Sequence, residues 1–315
     1  MKMRNLGNTD ITISELGFGC ASVWGKNFFV EQEAMDLFQT AVEEGITFFD
    51  TGYSYGHAEE RLGKCLQQLG TQKRKELTIA TKCGTRISDT PTVCVYHDWS
   101  VEWLKQSVEI SLKRLHTDYL DMLHLHGPKI NEMTDEVLKF MNDLKAQNVV
   151  RAIGVNSFDT DVLSYICDNR LFDFVMLDYN IMRQDREELI KRLYKNGIGV
   201  IAGAALAQSL YSNRVFQIHE KKDIWYLLRA LKNFRGHMFE GRKYRFINKI
   251  PNFTGSQIAL RYVMDNPYVS SAVFGTTNLQ HLVENVQATN MILPADILEK
   301  IRKNGRFSSE KLDRH

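Results

Sequence analysis

Four polar side chains stand at or just beyond the ends of three consecutive apolar runs: Asp50 and Tyr55 in FFDTGYSYG, Lys82 in ATKCG, and His126 in LHLHGP. A carboxylate and an ammonium are costly to bury singly in such surroundings, so Asp50 and Lys82 are expected to pair. An ammonium beside a phenol favours the phenolate, so Tyr55 would release its proton more readily than a free tyrosine. A proton donor next to an imidazole hydrogen-bond donor suits an oxygen on which negative charge grows as hydride reaches a carbonyl carbon. Tyr55 fits the first role and His126 the second. Any one of these residues alone is more often a structural polar group, and it is their joint order and placement that carries the reading.

His124 and His126 form an HxH pair on one run, and alternate residues of a strand share a face. Such a pair also suits a catalytic metal, which gives an alternative: a metal-dependent barrel hydrolase with Asp50 or Asp178 as a further ligand. Against it, no histidine at a later strand end completes the set. The segment Gly17-Phe18-Gly19 half-resembles a dinucleotide fingerprint but lacks the third glycine, and it reads better as a first strand and its loop.

The elements that must hold these residues follow from the alternation of short β-branched or aromatic runs with longer amphipathic stretches. Eight runs serve as strands: 15–20, 47–51, 77–83, 119–126, 151–156, 173–180, 199–205 and 270–275. Between them lie stretches such as EQEAMDLFQTAVEEG and VEWLKQSVEISLKRL, whose apolar residues recur every three or four positions. Gly45, Gly70, Asn148 and Gly197 close several of these stretches in the manner of left-handed caps. The pattern is that of an α/β (β/α)8 TIM barrel, a single domain over residues 1–315. Residues 207–250, after the seventh strand, are too long for a simple loop and are expected as an insertion over the C-terminal face, where barrel sites lie.

With 40 Lys+Arg against 38 Asp+Glu, the chain has no basic field to attract nucleic acid. No window is apolar over the length needed to cross a bilayer, so neither a membrane span nor a membrane partner is expected. Five scattered cysteines without metal-ligand spacing read as free thiols, and a cytoplasmic location is expected.

The segments FFDTGYSYGHAEERLGKCL, ATKCG, YLDMLHLHGP and RAIGVNSF together resemble the aldo-keto reductase family over nearly the whole barrel. The resemblance implies an NAD(P)H-dependent oxidoreductase with a catalytic tetrad at Asp50, Tyr55, Lys82 and His126. Its small-molecule substrate would be an aldehyde or ketone, sugar-type carbonyls included. The family's Ser-Asn pair for the nicotinamide carboxamide appears here reversed, as Asn156 and Ser157. Met176 stands where a hydrogen-bonding Gln or Glu is common, and Gly203 where an aromatic ring or arginine is frequent. The backbone around Leu206, Gln208 and Leu210 resembles the loop over the pyrophosphate, with Arg214 beyond it. FGTTNLQHLVENV resembles the adenosine-binding segment, with Glu284 and Asn285 at the adenine and Gly275, Thr276, Thr277 and His281 in place of the usual basic residues near a 2′-phosphate. The family favours NADP(H), while the missing cations leave NAD(H) possible. Trp24 is expected as a wall of the substrate pocket. Some relatives in this family are cofactor-sensing regulatory proteins without turnover, which is a second alternative. Oligomeric state is not readable.

Overall fold

The computed structural model describes residues 1–88, 94–211 and 240–312, without the side chains of Ser22, Gln208 and residues 306–312. Eight parallel strands close into a barrel: β1 (Leu16–Gly19), β2 (Phe48–Asp50), β3 (Thr78–Cys83), β4 (Leu120–His126), β5 (Val150–Asn156), β6 (Phe174–Asp178), β7 (Gly199–Gly203) and β8 (Ser271–Phe274). Each strand bonds to its chain neighbour, and β8 returns to β1. These are the eight runs expected from the sequence, seven of them trimmed at one or both ends and the fifth starting one residue earlier.

Period-two alternation sorts the strand residues into two cores. Phe48, Ala80, Met122, Ala152, Phe174, Met176, Ile201 and Val273 fill the barrel together with Leu6, Ile11 and Ile13. The last three come from an N-terminal segment whose antiparallel strands Met3–Asn5 and Thr12–Ser14 lie outside the barrel sheet. Residues of the opposite parity, such as Phe18, Phe49, Ile79 and Leu123, meet the helices. Gly154 makes room for the inner layer: a Cβ there would come within 2.6 Å of the Phe174 ring, which lies across the strand.

The surrounding helices are α1 (Glu31–Glu43), α2 (Ala58–Leu69), α3 (Val101–Leu115), α4 (Asp135–Ala146), α5 (Thr160–Asn169), α6 (Glu187–Lys195), α7 (Gly255–Met264), α8 (Leu279–Gln287) and α9 (Ala295–Leu312). Each apolar stripe faces inward, as with Leu37, Phe38 and Ala41 of α1 or Leu104, Val108 and Leu115 of α3. Burying a side chain of this size contributes about 1.5–3 kcal/mol. Ser100, Thr134, Asp159, Thr254 and Asn278 accept backbone N–H bonds at their helix starts. Such caps are worth about 1 kcal/mol each. The expected terminators Gly45, Gly70, Asn148 and Gly197 all have positive φ, although Gly70 pairs it with an extended ψ of 158°.

Most of the 207–250 insertion lies outside the described residues, so its expected place over the C-terminal face is not among them. The flanks that are described pack inward: Tyr211, Tyr244 and Ile247 are buried, and Asn248 Nδ2 donates to the Tyr211 carbonyl at 2.7 Å. A second antiparallel hairpin, Thr85–Ile87 with Val95–His97, follows β3 at the same end of the barrel as Asp50 and His126.

Candidate active site

The C-terminal ends of β2, β3 and β4 bring three of the four expected residues together directly. Lys82 Nζ donates to both Asp50 oxygens at 2.7 Å and to the Thr51 carbonyl at 2.6 Å, with Lys82 only 1% and Asp50 5% exposed. Burial works to lower the Lys82 pKa, but the Asp50 carboxylate and then Tyr55 outweigh it, so Lys82 is raised above the usual lysine value and stays an ammonium. Burial pushes the Asp50 carboxyl up from its ordinary value, and the Lys82 charge and hydrogen bond oppose that push.

Tyr55 is carried on the loop between β2 and α2. Lys82 is hydrogen-bonded to it, with Nζ 5.0 Å from the ring centroid, and the ring meets His126 edge-on at 5.7 Å. The loop turns tightly, with Tyr55 N donating to the Gly52 carbonyl at 3.0 Å. The β1–α1 loop lies directly against it: a Cβ on Gly25 would stand 1.5 Å from the Tyr55 carbonyl oxygen, a space that only glycine leaves open. Arg61 of α2 fixes that crossing by donating to the carbonyls of Trp24, Lys26 and Phe29.

His126 ends β4 partly open to solvent, yet its Nδ1 is buried without a hydrogen-bond partner. Burial, then Lys82, then His97 push its pKa down to about 3, so it is a neutral imidazole over the ordinary pH range. Its backbone carbonyl lies 3.0 Å from Nε2 of His97 on the hairpin. The site therefore holds one carboxylate, one ammonium, a phenol and a neutral imidazole. It can donate a proton and a hydrogen bond to one oxygen.

The residues expected to hold a dinucleotide lie at the ends of β5 to β8. The Met176 carbonyl accepts from Asn156 Nδ2 at 3.5 Å and from Ser157 N at 3.0 Å, while Ser157 Oγ accepts from Asp159 N at the start of α5. The reversed pair thus has Asn156 at the strand end and the Ser157 hydroxyl in the turn. The Met176 thioether fills the room beside Gly203: a Cβ added there would lie 3.2 Å from its Cγ and 3.4 Å from its Sδ. Beyond β7, the segment with Leu206 and Leu210 contains three left-handed residues that are not glycine, Ala204, Ala207 and Ser209. Each costs about 1–2 kcal/mol, and such strain gathers at ligand-holding segments. The Gln208 side chain and Arg214 fall outside the described residues.

At the start of α8, Thr276 Oγ1 accepts from Asn278 N, and Asn278 Oδ1 accepts from His281 N, each at 3.1 Å. Gly275 is exposed, Thr276, Thr277, His281 and Glu284 are partly so, and Asn285 is buried. Gln280 Nε2 holds the Glu284 carboxylate at 3.2 Å. No lysine or arginine occurs between residues 275 and 285. Hydroxyls and backbone N–H groups at a helix start, an imidazole, a carboxylate and an amide fit a dinucleotide held mainly by neutral donors.

Two expectations change. Trp24 is 1% exposed and packs on the outward-facing Phe18 and on Phe29, so it belongs to the layer between barrel and helices rather than to an open pocket wall. Asp178 is not free to bind a metal: Arg183 and Arg186 hold its two oxygens at 2.5 and 2.9 Å. Asp50 is likewise committed to Lys82, and no group of three or more His, Cys, Asp or Glu among the described residues could hold a metal. Sequence reasoning missed Arg61, the Thr51 carbonyl and His97. A signal existed for Arg61, a charged residue on the buried stripe of α2 beside Ala58, Leu62 and Cys65.

Comparison with known proteins agrees with the barrel fold. The profile of the Aldo/keto reductase family matches residues 15–305. The uncharacterized oxidoreductase YqkF of Bacillus subtilis is 29% identical over 297 residues, 92% of each chain. L-galactose dehydrogenase of Arabidopsis thaliana is 29% identical over 91% of this chain and 88% of its own. Among solved structures, the holo form of an aldo-keto reductase from Bacillus halodurans superposes with a TM-score of 0.80 at 27% identity, covering 96% of both chains. By its profile match, its barrel and these relatives, the chain belongs to the aldo/keto reductase family.

Proposed function

We propose that this protein reduces an aldehyde or ketone to an alcohol, with Tyr55 as proton donor and His126 orienting the carbonyl oxygen. The observation that carries the reading is the buried contact of Lys82 with Asp50 on one side and Tyr55 on the other. Asp50 keeps Lys82 charged and in place. Lys82 favours the phenolate that Tyr55 leaves behind. The neutral His126 donates a hydrogen bond to the same oxygen, so the charge that develops there meets two donors already in position.

A bound nicotinamide cofactor supplies the hydride. Asn156 and Met176 would border its nicotinamide end, the segment with Leu206, Gln208 and Leu210 would border the diphosphate, and Glu284 and Asn285 the adenine. NADP(H) is the proposed cofactor, with Thr276, Thr277 and His281 standing where the family places cations, and NAD(H) is the competing assignment. The substrate is a small-molecule carbonyl, and the five unpaired cysteines support a reducing, cytoplasmic setting.

Parallel titration of NADPH and NADH by fluorescence quenching, followed by a panel of aldehydes and ketones with the tighter binder, tests the reading. Tighter NADPH binding with turnover of at least one carbonyl is expected. A preference for NADH overturns the cofactor assignment, and binding without oxidation across the panel favours the non-turnover alternative.

A further inference from the structure

Beneath the tetrad lies a second histidine with no part in the reading above. His124 sits two residues before His126 on β4, points into the barrel, and is fully buried. Neither ring nitrogen completes a hydrogen bond, although the Val155 backbone lies close to the ring. Leaving both nitrogens of a buried imidazole unmatched is costly, so the position calls for an explanation.

The surroundings supply one. His124 pairs in register with Lys82 on β3, and its Nε2 stands 3.7 Å from Asp50 Oδ1, the atom that also accepts from Lys82 at 2.7 Å. From the far side the Phe174 ring meets the imidazole edge-on at 4.7 Å, in the space that Gly154 leaves open. The ring is thus held against Asp50 by packing. Burial, then Lys82, then His126 keep it neutral. A carboxylate this close selects the tautomer with hydrogen on Nε2. At 3.7 Å that N–H is beyond a formed hydrogen bond, but contacts of this kind shorten when an active site closes on its ligands.

We propose that His124 is a positioning residue for the tetrad: its Nε2–H takes up part of the Asp50 charge and leaves more of the Lys82 charge to act on Tyr55. This rests on the proposed role of Tyr55 as acid. The direction of the effect follows. Without the imidazole, Asp50 draws more fully on Lys82, the phenolate of Tyr55 is less favoured, and Tyr55 becomes a weaker acid. The other groups facing this cluster are His126, held neutral with His97 against its backbone carbonyl, and Cys20 at the end of β1, whose thiol burial pushes up.

The test compares His124→Leu and His124→Gln with the parent protein, measuring kcat and KM of carbonyl reduction against pH and NADPH affinity by fluorescence. For His124→Leu the expected result is a kcat about tenfold lower and an alkaline limb displaced upward by about one pH unit, the shift that corresponds to a tenfold change. KM and NADPH affinity stay near parental values. His124→Gln, which restores an N–H donor, recovers the parental pH profile. A parental alkaline limb in His124→Leu overturns the inference, as does an equal displacement in both variants. If His124→Leu binds NADPH poorly, the Gln variant decides: a parental profile upholds the donor role and a displaced one refutes it. Tyr55→Phe measured alongside separates the two readings, since full turnover there removes the acid assignment itself, while an inactive Tyr55→Phe beside an unshifted His124→Leu removes only the role of His124.

Discussion

Replacing Lys82 with Met removes the cation while keeping an unbranched side chain of similar length, and its cost can be worked from the contacts. The ammonium is almost fully buried and, besides Tyr55, serves the two Asp50 oxygens and the Thr51 carbonyl. Taking one partner from a buried ion pair costs about 3–5 kcal/mol, because the remaining charge is left uncompensated. Asp50 can escape part of that cost by taking a proton, since burial already pushes its pKa up and only Lys82 opposes it. The sign follows from linkage. A carboxyl whose folded pKa is raised above its unfolded value contributes stability that is whole below the unfolded value and is lost as pH rises through the folded one. Lys82→Met should therefore come nearest the parent in stability under mildly acidic conditions and fall behind as pH rises through the raised Asp50 value. The parent keeps the compensating ammonium over that range. Denaturant unfolding across this pH range reads the difference as a change in midpoint at constant slope. Reductase turnover should drop by about 10²–10⁴, the span attributed to positioned acid catalysis. A variant as stable as the parent at neutral pH, with no additional pH slope, would refute the buried-pair account.

Two further outcomes follow from the same geometry. Gly25→Ala places a methyl 1.5 Å from the Tyr55 carbonyl oxygen, so the β1–α1 loop must move; turnover should fall at least tenfold with little change in far-UV circular dichroism, and a fully active variant would show that this crossing does not position Tyr55. His126, pushed down to about 3 from an ordinary value of 6.5, contributes stability that is present above its unfolded value and is lost as pH falls toward the folded one. The slope is at most about 1.4 kcal/mol per pH unit, so His126→Gln should flatten the acid limb of the stability curve between pH ~6 and ~4, and an unchanged limb would contradict the neutral imidazole.

Much of this arrangement is legible in the sequence, because barrel strands impose a strict inside and outside. Asp50, Lys82 and His126 lie at the ends of apolar runs whose lengths fix which side chains turn inward, and their chemistry requires pairing once buried. Gly45, Asn148 and Gly197 were readable as terminators for the same local reason. What the sequence did not reveal depends on contacts distant along the chain. Trp24 resembled a pocket wall because it follows β1 closely, yet its ring turns outward to Phe18 and Phe29. The hairpin of Thr85–Ile87 with Val95–His97 is short, and nothing in its composition indicates that His97 would reach the carbonyl of His126. Arg61 was masked by the charged residues beside it, Glu59, Glu60 and Lys64, although its place on the apolar stripe of α2 marked it as buried.

The central claim is that the Tyr55 hydroxyl gives its proton to the carbonyl oxygen. Tyr55→Phe removes that hydroxyl and leaves the ring against His126 and Lys82, so single-turnover reduction measured beside NADPH affinity tests it most directly. The account predicts near-parental cofactor binding with the reduction step slowed by about 10²–10⁴. Reduction at the parental rate in that variant would contradict it.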